Sequence, residues 1–210
     1  MTSLKNKIIS PEESPATAHV MSKNWDEQRY ILPNPSTDAV EEVYGLHKKL
    51  MLGIISYGYE HASSTQMQCL PTALNAVKNA DGQYEYVDGI YQAPSGTGKT
   101  AVFCISALQI IINMCGSAKP NCPHCIMVSP VKELARQTYD RLLAFGQYMD
   151  INIILCCGGE SVRHNKEALK RGVDIVVGTP GRIKQLIDDG YMNGSELVNI
   201  TLDEADRLLG

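Results

Sequence analysis

The sequence predicts an α/β domain with a mostly parallel sheet and helices on both of its faces. Three observations predict it. Short apolar, β-prone runs alternate with helical patterns: Ile126-Met127-Val128, Ile151-Asn152-Ile153-Ile154-Leu155 and Val173-Asp174-Ile175-Val176-Val177 each lead into one. Strands buried on both faces read as continuous apolar runs of this kind. The stretch Ala93-Pro94-Ser95-Gly96-Thr97-Gly98-Lys99-Thr100 sits between a strand-like and a helix-like segment. Finally, Leu197-Val198-Asn199-Ile200-Thr201-Leu202 ends in Asp203-Glu204, placing carboxylates at the carboxyl end of a strand, where open α/β sheets hold ligands.

Taken in order, residues 1–40 are rich in Ser, Thr, Pro and charge, with Pro11, Pro15, Pro33 and Pro35, and read as a mostly flexible extension. The domain occupies residues 41–210. Helical patterns are expected near 41–56 and 66–79, followed by a turn at Asp81-Gly82. Gly89-Ile90-Tyr91-Gln92 is the strand before the glycine-rich stretch. The run 99–114 is apolar almost all round and is expected to be buried. Further helices are expected near 131–148 and 161–171. A last one is capped by Thr179, opened by Pro180 and ended by Gly190. No internal repeat is found.

The stretch 93–100 has the spacing of a phosphate-binding loop, with Ala93 where the general motif has its first glycine. Small residues at 95–98 let successive backbone N–H groups turn inward as an anion nest, and the following helix adds its positive end. Lys99 would then reach the β- and γ-phosphates of a nucleotide, and the Thr100 hydroxyl would ligate Mg²⁺. A glycine-rich turn with a chance lysine is the bland alternative, and it lacks the strand–loop–helix context seen here. Asp203 would hold the metal, directly or through water, and Glu204 would polarise the attacking water. An acidic helix N-terminus is the competing reading of these two carboxylates. The phosphate loop upstream favours the catalytic one.

With these motifs the sequence resembles the DEAD-box ATP-dependent RNA helicases, whose name spells Asp203-Glu204-Ala205-Asp206. The resemblance runs from about Leu50 to Leu209 and rests on ordered motifs. Gly58 to Gln66 resembles the Q motif, whose glutamine reads the adenine edge. Ala93, Pro94, Ser95, Gly96, Thr97, Gly98, Lys99 and Thr100 match motif I. Pro130-Val131-Lys132-Glu133-Leu134-Ala135 resembles motif Ia, Gly158-Gly159 the glycine doublet, and Thr179-Pro180-Gly181-Arg182 the motif after it. The resemblance implies a RecA-like P-loop NTPase domain that uses ATP and Mg²⁺, with Gln66 selecting adenine. It also implies that Pro130, Lys132, Gly158, Gly159, Thr179, Pro180, Gly181 and Arg182 line a groove for one RNA strand, single or drawn from a duplex. Several positions depart from the family pattern. Glu41 stands where an aromatic residue stacks on adenine, with Tyr44 one helical turn along. Ala62 and Thr65 alter the Q motif, and Val131 and Lys132 alter motif Ia. Lysine keeps the charge but loses the bidentate fork of arginine, so a weakened RNA grip is expected.

The net charge of −4 excludes a generic basic nucleic-acid binder, so RNA contact has to be local. Lys132, Arg136, Arg163, Lys166, Lys170, Arg171 and Arg182 fall in the segment that carries the RNA-like motifs, with Lys166, Lys170 and Arg171 read as a solvated helix face. Among the seven cysteines, Cys69, Cys104, Cys156 and Cys157 lie in apolar runs and read as core packing in a reducing compartment. Cys122 and Cys125 have zinc-knuckle spacing, with Cys115 or His124 as further ligands, but a second pair is missing and a surface loop is preferred. No apolar run approaches a membrane span and no signal peptide is seen, so an intracellular protein is expected, cytoplasmic or nuclear.

By the same resemblance, a complete first domain continues to a Ser-Ala-Thr strand lying between the phosphate-loop strand and the DEAD strand. A second RecA-like domain supplies arginines. Neither is found before Gly210. The expected function is therefore that of the first domain of an ATP-dependent RNA helicase, remodelling RNA duplexes or RNA–protein complexes, with little activity from this chain alone. A truncated, non-catalytic module binding nucleotide or a protein partner is the alternative. A P-loop small-molecule kinase is disfavoured by the Q-like segment and the glycine doublet.

Overall fold

The computed structural model describes residues 7–9, 29–33, 40–44, 46–78, 84–114 and 117–210. Two compact units divide the chain, Met1–Gln109 and Ile110–Gly210.

The first unit contains three strand pairs. β1 (Lys7–Ile9) lies parallel to β6 (Gly89–Tyr91), while β2 (Arg29–Pro33) with β3 (Val40–Tyr44) and β4 (Ala76–Lys78) with β5 (Tyr84–Tyr86) are antiparallel. Helix α1 (Lys48–Ser56) buries Leu50 and Ile54, four residues apart on one face. Helix α2 (Ser64–Ala73) starts from a reciprocal capping box. The Ser63 side chain accepts from the Gln66 backbone N–H, and the Gln66 side chain accepts from that of Ser63. Helix α3 (Lys99–Met114) follows the phosphate loop and buries Ala101, Val102, Cys104, Ile105, Ala107 and Leu108, as its all-round apolar sequence requires.

The second unit is the parallel sheet expected from the alternating pattern. Its strands are β7 (Cys125–Val128), β8 (Ile153–Cys156), β9 (Ile175–Gly178) and β10 (Asn199–Leu202), in the order β10-β7-β9-β8. All three pairings are parallel. The connections carry α4 (Lys132–Phe145), α5 (Val162–Arg171) and α6 (Pro180–Asp188), and α7 (Ala205–Leu209) closes the chain. Ile126, Ile154, Val176, Leu169, Ile183 and Leu186 form one core cluster. All of β9 is buried, as suits an inner strand. β10 pairs only with β7 and alternates, with Ile200 and Leu202 exposed, so it is an edge strand among the described residues.

The segment 117–124 docks beneath the sheet, where Asn121 N donates to Leu169 O, Asn193 N to Asn121 O and Val198 N to His124 O. His124 is buried there with its Nδ1 3.2 Å from Asp174 Oδ1.

Three sequence expectations shift. Val40–Tyr44 is a strand, not the start of a helix, because Val40, Val43 and Tyr44 fit helical spacing as well as they fit a ladder, and β2 supplies that ladder. β1 and β2 fall within the stretch read as a flexible extension, whose other residues up to 39 lie outside the described ones. The second helix stops at Ala73, and Ala76–Lys78 pairs with β5 instead of continuing it. The expected turn at Asp81-Gly82 lies outside the described residues. Among the described residues no helix is long and apolar enough to cross a membrane.

Candidate nucleotide site and RNA groove

The phosphate loop joins β6 to α3 by a backbone that only glycine adopts freely at two points, Gly96 at φ 79° and Gly98 at φ 99°. A Cβ built on Gly96 would meet nothing, whereas one on Gly98 would lie 2.7 Å from Gln66 Nε2. Gln66 is thus wedged against the loop, and it is 3% exposed. Its Oε1 accepts from Ser63 N at 2.7 Å, and Ser63 Oγ donates to Thr97 O at 2.9 Å. The Q-like segment therefore grips the phosphate loop twice, through a hydroxyl and through packing. Lys99 Nζ donates to Ala93 O and, at 3.0 Å, to Pro94 O, while Thr97 Oγ1 donates to Pro94 O at 2.9 Å. Lysine, glycines and the first turn of α3 converge on one small cradle. Thr100 occupies that first turn, half-buried. A cationic side chain at Lys99, a hydroxyl at Thr100, the first turn of a helix and open space at Gly96 fit a polyphosphate and its metal. Below the cradle Cys69 is buried, which pushes its thiol pKa up; the Lys99 charge opposes the shift.

The expected groove residues gather in the second unit, at the carboxyl ends of β7, β8 and β9. Pro130 follows β7, Gly158 and Gly159 follow β8, and Thr179 follows β9 at the N-cap position of α6 without a side-chain capping bond, with Pro180 opening the helix. Gly159 has φ 85°, and a Cβ there would lie 3.2 Å from Lys132 Nζ, so the lysine crosses the doublet. A Cβ on Gly158 or Gly181 would meet nothing, leaving backbone open on both sides. Arg182 reaches back from α6, its Nη1 donating to Glu160 O at 3.1 Å and to Asn165 Oδ1 at 2.8 Å. Asn165, buried, in turn donates to Leu155 O at 2.9 Å. Arg182 is thereby a brace as much as a free cation. Beneath the groove, burial pushes the Cys156 thiol up to about 12, and burial raises Cys157 as well, against hydrogen bonding to Thr179.

Asp203 stands just past β10, buried, with its backbone N–H donating to Val128 O at 3.0 Å and its Oδ1 accepting from Glu204 N at 3.1 Å. Glu204 is exposed and left-handed, φ 53° and ψ 53°, and its Oε2 accepts from Arg207 Nη1 at 2.8 Å. The two carboxylates therefore diverge, one held inside and one turned out.

Sequence reasoning missed Glu160, whose carboxylate lies 2.6 Å from Arg136 Nη2 and 3.8 Å from Lys132 Nζ. An acid directly after a glycine doublet, among cations, was the available signal. Lys166 and Lys170 lie apart from the groove residues, over the Tyr191 ring at 4.4 and 5.4 Å from its centroid. Cys125 is fully buried on β7 and Cys122 Sγ lies 3.2 Å from Pro120 O. Among the described residues no three His, Cys, Asp or Glu side chains gather to hold a metal, and Cys115 lies outside them.

Residues 63–210 match the family model described as DEAD/DEAH box helicase. The chain is 39% identical over 165 residues to the ATP-dependent RNA helicase eIF4A of Yarrowia lipolytica, covering 79% of this chain and 38% of that one. It is 40% identical over 171 residues to eukaryotic initiation factor 4A of Cryptosporidium parvum, covering 80% and 38%. A solved structure of a Dbp5 variant from S. cerevisiae, bound to RNA and ADP BeF3, matches with a TM-score of 0.66 at 26% identity over 90% of this chain and 40% of that chain.

Proposed function

Because the chain belongs to the DEAD/DEAH box helicase family, we propose that it is the ATP-binding first RecA-like domain of an RNA helicase that remodels RNA duplexes or RNA–protein complexes. Residues 41–210 make up that domain, and an intact protein acts inside the cell, in cytoplasm or nucleus. The chain spans 38% of the two helicase relatives and 40% of the Dbp5 chain, so turnover, RNA substrates and protein partners belong to this proposal.

The observation that carries the reading is the grip of the Q-like segment on the phosphate loop, through Ser63 to Thr97 and Gln66 against Gly98. It ties an amide-bearing base reader to a phosphate cradle. Lys99 would leave the carbonyls of Ala93 and Pro94 to meet the β- and γ-phosphates of ATP; the family resemblance assigns Mg²⁺ to Thr100 and to Asp203. That ion supplies charge neutralisation on the phosphates. Glu204 would take the proton of the attacking water as general base, and to do so its carboxylate would have to leave Arg207, with which it is paired at 2.8 Å. Gln66 presents its amide to adenine. Pro130, Lys132, Gly158, Gly159, Thr179, Pro180, Gly181 and Arg182 line one RNA strand, whose phosphates the glycine amides and the cations of Lys132 and Arg182 contact without reading sequence. A second reading is a module that binds nucleotide or a partner without turning over, and steady-state phosphate release separates the two.

Titration with a fluorescent ATP analogue tests the claim. Lys99→Ala is expected to abolish Mg·ATP binding or weaken it severely, since phosphate charge in the cradle then goes uncompensated. Unchanged affinity in a folded variant overturns it.

A further inference from the structure

In the groove, the charge that faces Lys132 and Arg136 belongs to the protein itself. Glu160 Oε1 lies 2.6 Å from Arg136 Nη2 and 3.8 Å from Lys132 Nζ. The same residue's carbonyl oxygen accepts from Arg182 Nη1, so one residue engages all three cations around the doublet. The side chains of Lys132 and Arg136 are 45% and 44% exposed and that of Glu160 is 31% exposed, so solvent reaches all three. A carboxylate takes the same charge-assisted donors as a phosphate oxygen.

Resting on the RNA reading above, we propose that Glu160 is a built-in competitor for RNA phosphate, which neutralises Lys132 and Arg136 until a backbone phosphate displaces it. Two consequences follow from that arrangement. The grip on RNA is weaker than the cations alone would give, because a bound phosphate has to displace a carboxylate and then sit beside it. Binding is also less salt-sensitive, because cations already paired within the protein release fewer condensed counterions from the RNA. Arg182, braced on Asn165 and the Glu160 carbonyl, keeps its place whether or not the carboxylate swings away.

The test is fluorescence anisotropy of the 210-residue chain with a labelled single-stranded oligouridine across a salt series, beside a thermal melt. Glu160→Gln removes the charge and keeps the shape and an acceptor for Arg136. It is expected to tighten binding by about threefold to tenfold at low salt, the range for releasing two partly exposed ion pairs. The slope of log K against log salt should steepen by about 0.7 for each cation freed. Glu160→Asp keeps the charge and should follow the unaltered chain. Asp188→Asn, which makes the same change of net charge at the exposed Lys184 pair on α6, should give neither effect. Equal affinity and slope for Glu160→Gln, or an equal gain from Asp188→Asn, overturns the proposal and leaves the RNA reading standing. Weaker binding by Glu160→Gln overturns it too, since Glu160 would then position the cations. No binding by any folded chain overturns the RNA reading and the proposal with it.

Discussion

At the scale of single residues, the nucleotide cradle makes two glycines unequal. Gly96→Ala adds a Cβ into open space and costs only the left-handed backbone, about 1–2 kcal/mol. Gly98→Ala adds the same strain and drives a Cβ against Gln66 Nε2. ATP titration of both variants should therefore show a clearly larger loss for Gly98→Ala. Gln66 carries two duties that separate experimentally. Its oxygen closes the cap of α2, so Gln66→Ala should lower stability by about 1 kcal/mol. If its amide also meets adenine, the same change should erode the preference for ATP over GTP by about 1–3 kcal/mol while leaving phosphate contact intact. A melt reads the first and competition binding the second; an unchanged ATP/GTP ratio beside a lowered melt would leave Gln66 a capping residue only. The strand–loop–helix around residues 93–100 and the strand ahead of Asp203 were legible in the sequence because their patterns are local. The Ser63–Thr97 bond joins segments 34 residues apart, and no local pattern announces it.

At the scale of elements, β10 is an edge among the described residues, with an apolar outer face: Ile200 is 60% exposed and Leu202 42%. Such an edge invites strand addition. Ile200→Lys should reduce self-association, read by light scattering against concentration, with little change in the melt because the side chain is not in the core. Where the elements lay was mostly readable. Four apolar runs became the four parallel strands, and Thr179-Pro180 opened α6 as its residue types require. The failures share one cause. β2, β3 and β4 are strands of only three to five residues, each paired with a neighbouring strand in sequence, and nothing within so short a segment separates a ladder from a helical turn or a loop.

At the scale of the whole molecule, pH acts through thiols as well as through charge. The Cys156 pKa is about 12 in the folded chain against an ordinary 9.0, so the folded state holds a proton that the unfolded chain gives up. Stability from this group is complete below pH 9 and declines as pH rises from 9.0 toward about 12. A melting temperature falling through that window, and falling less in Cys156→Ala relative to its own neutral value, is the expected result. Turnover sets the second whole-chain expectation. By family resemblance, arginines of a second domain stabilise the transferred phosphoryl group, an effect worth roughly a thousandfold to a hundred-thousandfold. The 210 residues alone should therefore bind ATP yet release phosphate slowly, with or without single-stranded RNA. A longer reading frame carrying that second domain should restore RNA-stimulated release. Brisk RNA-stimulated release from the short chain would refute the dependence.

Under the role proposed for Glu204, its left-handed backbone sets stability against activity. A glutamate at φ 53° is held against its own preference at a cost of about 1–3 kcal/mol. Glu204→Gly relieves that strain and should raise the melting temperature while deleting the group assigned to the water. Any engineering effort that ranks variants of this chain by thermostability alone would thus tend to enrich an inert one, and such a screen needs a nucleotide-turnover readout beside it.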